Sequence, residues 1–185
     1  MDVTRMLETD HRMVEGLFAQ ILEAKGDERA ALVQELATAL EGHMELEETV
    51  VYPQMGSVTG PESVEEGETE HELARKTLAE MVALAPEQPG FEAALEAVKA
   101  GIEHHVEEEE STLFPQMRSE GADAIEAMTQ PFLSKRAELG MKVNPVALAV
   151  GATKEQLVEE AAGVDIVGAA SMNKDELAEA LADAG

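Results

Sequence analysis

The sequence predicts an all-α protein: an up-down-up-down four-helix bundle with an extra helix and a small C-terminal helical module. Three observations lead there. Apolar residues recur in alternating steps of three and four along four segments, the spacing of one helix face. Short Gly- or Pro-containing stretches separate those segments. Aromatics make up only 3% of the chain, so Ala, Leu, Val and Met supply most of the apolar content, a mix that favours helices. At 185 residues the chain fits one domain plus an appendage.

The first segment runs through Leu7, His11, Val14, Phe18 and Ile21 and ends at Gly26-Asp27. Leu36, Leu40, His43, Glu47 and Val50 mark the second, which the GSVTGPES run over 56–63 closes. The third passes through His71, Ala74, Leu78 and Met81 to a break over 86–90, and the fourth through Phe91, Leu95, Val98, Ile102, His105, Glu109 and Thr112. Connections this short make neighbouring helices antiparallel. A fifth stretch, ADAIEAM into FLSKRAEL, has a structural role and is expected to kink or break at Pro131, and it completes a bundle domain over 1–140. Residues 141–152 read as a linker. A unit over 153–185 follows, in which capping boxes at Thr153/Gln156 and Asn173/Glu176 open two short helices around an extended GVDIVGAAS segment.

One cassette occurs twice, as HMELEETVVYPQM and HVEEEESTLFPQM, with His43, Glu47 and Pro53 at the same offsets as His105, Glu109 and Pro115. An echo precedes each copy, Thr9-Asp10-His11 and Thr69-Glu70-His71. An imidazole and a carboxylate four residues apart share a helix face, with Cβ atoms about 5–6 Å apart. Burying four such histidines and two glutamates without a cation would cost several kcal/mol per carboxylate. His11, His43, Glu47, His71, His105 and Glu109 are therefore the candidate metal ligands. His104 and Glu108 are also four apart but rotated by about 100° from the Val98–Ile102 stripe, which places them behind the ligands or in solvent. Glu48, Glu107 and Glu110 read as a solvated face, with Glu110 an alternative to Glu109. Glu15 and Glu68 lie within a turn of His11 and His71, where each either reaches the cluster or pairs with a cation such as Arg75. Tyr52 and Phe114 are expected to pack the bundle end.

The absence of cysteine leaves nitrogen and oxygen donors, which suit two iron ions, with manganese or zinc as alternatives. Four histidines and two bridging glutamates would fill roughly eight of about twelve octahedral positions, leaving room for an oxo or hydroxo bridge and for O2 or H2O2. At these residues the chain resembles the hemerythrin-like family with its HHE cation-binding motif, from about residue 2 to 118. That resemblance implies a non-haem di-iron centre held by the six residues named. Classical oxygen carriers of the family have a further histidine where this chain has Arg75, and their last carboxylate lies five residues after its histidine rather than four. Simple oxygen transport therefore gives way to oxygen or redox sensing, peroxide decomposition or iron handling, with a catalase-like or other oxidoreductase activity one form of it. Two alternatives stand beside it: a regulatory metal-binding module signalling to a partner through its C-terminal unit, and a zinc or manganese scaffold.

No nucleophile triad, phosphate-cradling loop or nucleotide fingerprint occurs, and no catalytic residue is assigned beyond the metal set. The formal net charge of −26 opposes nonspecific contact with nucleic acid. The tail resembles the small helical unit at the N-terminus of the terminator Rho, related to SAP-type modules. Over 141–185, however, three lysines face eight acidic residues, 3 − 8 = −5, which favours a protein contact over nucleic acid. With no leader-like start and no apolar run of roughly 18 residues, a cytoplasmic location away from the membrane is expected.

Overall fold

The computed structural model describes residues 2–141, 149, 152–163 and 166–184. It is all-α, a bundle of long helices with further helices added, and no strand occurs among the described residues. Helix α1 (Val3–Glu23) starts at Asp2, whose carboxylate accepts from the Arg5 amide and from the Thr4 hydroxyl. Helix α2 (Gly26–Leu46) continues through a wide π-helical turn (Glu47–Val51) into α3 (Tyr52–Thr59). Only Gly60, at φ 99° and ψ 155°, separates α3 from α4 (Pro61–Val82), so the run over 56–63 is a one-residue break inside helix. Helix α5 (Phe91–Glu108) passes through a second π-helical turn (Glu109–Leu113) into α6 (Phe114–Glu120).

The two π turns were not foreseen. Both begin at the glutamate of a cassette, and both end just before the aromatic residue that precedes a proline. Pro53 and Pro115 have no N–H to give the carbonyl four residues back, and their rings would collide with it in a regular α-helix. Widening the preceding turn lets the chain pass without ending the helix, a device frequent at functional sites.

Helix α7 (Ala122–Glu138) runs uninterrupted through Pro131, against the expected break. Ile125, Met128, Thr129, Phe132 and Arg136 bury one face on both sides of the proline, and that packing outweighs one missing hydrogen bond. Beyond it, residues 142–148, 150 and 151 of the expected linker lie outside the described residues. Helices α8 (Lys154–Gly163) and α9 (Lys174–Ala184) follow. Reciprocal side-chain-to-amide bonds between Thr153 and Gln156, at 2.8 and 3.2 Å, and between Asn173 and Glu176, at 2.8 and 3.0 Å, open them. Of the segment expected to be extended, Val164 and Asp165 lie outside the described residues. The remainder turns at Gly168 and forms a short 3-10 helix (Ala169–Ser171), in which the Ser171 hydroxyl donates to the Gly168 carbonyl at 2.7 Å.

Apolar packing falls into two clusters. One joins Val14, Phe18, Leu36, Leu40, Met81 and Ile102. The other joins Leu7, Leu46, Phe114, Met128 and Phe132 with Leu157 and Leu177 of the C-terminal helices. Between them along α1, α2, α4 and α5 lies a buried polar layer containing four of the five histidines.

Candidate metal centre

That layer is the convergence of the six predicted side chains. His11, His43, His71 and His105 are 5% exposed or less, and Glu47 and Glu109 are 1% exposed or less. Donor atoms of His11, His43, Glu47 and Glu109 lie within 4.8 Å of one another, and those of Glu47, His71 and His105 form a second such group. The histidines meet in pairs through Nε2: His11 and His43 at 3.1 Å, His71 and His105 at 3.1 Å. Glu47 spans the two pairs, with Oε1 3.2 Å from His43 Nε2 and Oε2 3.3 Å from His71 Nε2. One oxygen of Glu109 does the same from the other side, 3.4 Å from His11 Nε2 and 3.7 Å from His105 Nε2.

Four carboxylates stand behind the histidines. Glu110 accepts from His11 Nδ1 at 2.8 Å, Glu48 from His71 Nδ1 at 2.9 Å and Glu70 from His105 Nδ1 at 2.8 Å, while Asp10 faces His43 Nδ1 at 3.9 Å. Carboxylates only accept, so each Nδ1 that meets one carries the proton and each neutral ring turns a bare Nε2 lone pair inward. Lone pairs facing each other at 3.1 Å repel unless a cation lies between them. Two nitrogen donors about 2.1 Å from one ion and about a right angle apart would stand about 3.0 Å from each other. Both oxygens of Glu47 and both of Glu109 are buried without a hydrogen-bond partner, a second arrangement that a cation fits. Without one, protons take the role. Burial alone would lower the His43 imidazole, but the charge of Glu47 and the Asp10 carboxylate raise it to about 10. His105, likewise opposed by burial, is raised to about 11 chiefly by Glu109. Each pair thus holds protons more tightly in place of metal charge, His11 too being raised, against the opposing burial, through its bonds to Glu109 and Glu110.

The alternatives resolve by position. Glu109, not Glu110, faces the pocket. Glu15 pairs with Arg12 at 2.6 Å and Glu68 is exposed, so neither reaches the cluster. His104 is solvent-facing, with Nε2 3.3 Å from Glu70. Glu48 and Glu110, expected on a solvated face, are instead a quarter exposed and support His71 and His11. Arg75 grips both oxygens of Glu48, at 2.7 and 3.0 Å, and so stands behind the site without entering it. The missed carboxylates carried a signal in the repeat. Asp10 and Glu70 each precede a histidine, and Glu48 and Glu110 each follow a cassette glutamate.

Tyr52 and Phe114 pack in the apolar cluster as expected, but Tyr52 also makes a polar contact. Its hydroxyl lies 3.2 Å from His71 Nε2, while its counterpart Phe114 only stacks on His11, with ring centroids 6.0 Å apart. Burial, then the charges of Glu47 and Glu109, hold the Tyr52 phenol well above its ordinary range, so it remains a donor. Gly67 makes its approach feasible, since a Cβ there would meet the Tyr52 Oη at 2.7 Å. A cavity of about 150 Å³ opens beside His11 between α1 and α5, lined by Val14, Phe18, Ala19, Leu22, Ile102 and Val106 together with Glu15, Lys99 and Glu103.

The family model for the hemerythrin HHE cation binding domain matches residues 2–117. A curated relative, a DNA nickase from Nostoc sp. (strain PCC 7120 / SAG 25.82 / UTEX 2576), is 24% identical over 156 residues, covering 82% of this chain and 44% of that protein. The chain therefore spans less than half the length of that relative. No solved structure matches.

Proposed function

The chain belongs to the hemerythrin HHE cation-binding family and binds metal, and we propose that it holds two non-haem iron ions and reacts there with O2 or peroxide. Its role would be oxygen or redox sensing, peroxide decomposition or iron handling. The observation that carries this is the donor set: four inward imidazole nitrogens in two pairs, spanned by two carboxylates that have no other partner. His11, His43, His71 and His105 would hold the ions with Glu47 and Glu109 between them. Iron bound there supplies redox chemistry and open coordination positions.

The chain's own residues do the rest. Glu110, Glu48 and Glu70 fix the tautomer and direction of three rings through Nδ1. Tyr52 offers a protonated hydroxyl beside His71, able to donate to a small oxygen ligand. Most side chains lining the cavity beside His11 are apolar, and its charged ones, Glu15, Lys99 and Glu103, include two carboxylates, so it suits a small neutral ligand better than an anion. Neutral nitrogen donors leave the pocket less anionic than an all-carboxylate one, which favours the reduced metal and mild oxygen chemistry. The nickase name describes the relative, and the −26 formal charge of this chain argues against carrying DNA cleavage over to it.

The test is optical and catalytic together. Anaerobically reduced, iron-loaded protein exposed to air should develop near-ultraviolet charge-transfer absorption, and H2O2 should be consumed at a rate that falls in Tyr52→Phe. Protein that holds iron but shows neither response would contradict the oxygen or peroxide reading and leave a metal scaffold.

A further inference from the structure

His43 differs from the other three histidines in what stands behind it. Glu110, Glu48 and Glu70 are between a fifth and a third exposed and contact their rings at 2.8–2.9 Å. Asp10 is 1% exposed, stops 3.9 Å short of His43 Nδ1, and that nitrogen has no hydrogen-bond partner. The internal repeat gives the reason for the gap. Glu70, the counterpart of Asp10, has one more methylene and reaches His105 at 2.8 Å, whereas the shorter Asp10 is drawn the other way.

What draws it is Arg136 of α7. Arg136 is 2% exposed, and its guanidinium holds both Asp10 oxygens, Nη1 on Oδ2 and Nη2 on Oδ1 at 3.2 Å. Arg136 lies outside the matched domain residues 2–117, on a helix whose Met128 and Phe132 share an apolar cluster with Leu157 and Leu177 of the C-terminal helices. A fully buried ion pair is weak evidence for stability as such, because desolvation offsets most of the attraction. Its placement, one carboxylate between a guanidinium and a ligand ring, points to a different use.

We infer that Arg136 and Asp10 are positioning residues for His43, and that α7 is thereby part of the metal centre. Arg136 competes with His43 for the Asp10 carboxylate. The hold of α7 on Asp10 sets how much support the His43 ring receives, so a shift of α7 or of the helices packed on it is felt at one metal ligand. This inference rests on the metal-binding reading above and on no particular reaction.

The test uses the full chain loaded with Zn(II) and labelled with nitrogen-15 at histidine, reading the ring N–H proton of His43. Arg136→Met frees Asp10 to accept from His43 and should move that proton downfield, towards the values of the three supported rings. Asp10→Asn removes the charged acceptor, should move it upfield, and should weaken Zn(II) binding about 10- to 100-fold. Both variants break the same ion pair, so a merely structural role would move the signal in one direction for both or not at all, and either result overturns the proposal. Should Arg136→Met fail to fold, Asp10→Asn/Arg136→Met leaves no unpaired buried charge. That protein should resemble Asp10→Asn, and a wild-type His43 signal in it overturns the proposal. Wild-type protein that takes up no zinc would instead refute the metal-binding reading itself.

Discussion

At the scale of single residues, the convergence of six donor side chains was legible because HxxxE, written twice on apolar helix faces and each time preceded by a histidine, would bury uncompensated charge unless it held a cation. The four supporting carboxylates were not, because contacts such as Glu48 to His71 and Glu70 to His105 cross between helices, where periodicity is silent. Only the repeat held a hint. Tyr52 was hidden for another reason: an aromatic before a helical proline looks like packing until the glycine that gives it room is identified on another helix. Gly67→Ala should force the Tyr52 ring to move, since its methyl would sit 2.9 Å from Cζ. A denaturation midpoint lowered by the equivalent of about 1–3 kcal/mol is expected, with an altered metal spectrum. An unchanged midpoint would mean that the ring relaxes freely. Glu47→Ala should cost more metal than Glu48→Ala, since Glu47 spans both histidine pairs while Glu48 acts through one ring. Dialysis-resistant metal per chain measures the difference.

At the scale of elements, helix existence and order followed from three- and four-residue spacing, because each long helix buries one continuous stripe. Boundaries were harder where proline intervened. At Pro53 and Pro115 the chain widens a turn, and at Pro131 it keeps the helix, because flanking burial on α7 outweighs a lost hydrogen bond. Whether a proline ends a helix depends on packing that sequence does not display. Met128, 1% exposed on α7, tests the element's role in the core. Met128→Ala should destabilise the fold by about 2–5 kcal/mol, measured by urea unfolding. The metal content of folded protein should stay unchanged, because Met128 packs in the apolar cluster whereas Arg136 contacts Asp10.

At the scale of the whole molecule, a polar layer divides two apolar clusters, and its protonation links stability to pH. His43 and His105 are raised from 6.5 to about 10 and about 11 in the folded chain. Metal-free protein therefore holds protons that the unfolded chain has released. That stabilisation is complete below pH about 6.5 and is lost as pH rises through about 10–11. Glu47 acts in the opposite sense. Burial opposes it, but His43 and its neighbours hold its carboxyl well below 4.5, so its contribution is present above that value and lost as pH falls further. Urea titrations of metal-free protein should show higher stability at pH 6.5 than at pH 10.5. Metal-loaded protein should lose this alkaline decline, because the ions replace those protons, and metal uptake near neutrality should release protons in a calorimetric buffer series. Among the described residues no helix is long and apolar enough to cross a membrane. The composition foretold that absence and the helical class, but nothing in it foretold the reach of α7 into the polar layer.

The most direct measurement is metal content per folded chain after anaerobic loading with Fe(II) and removal of excess. The donor arrangement predicts close to two irons in the wild type and essentially none in His43→Ala/His105→Ala. A wild-type value near zero, or full retention in the double variant, would contradict a centre built from these side chains.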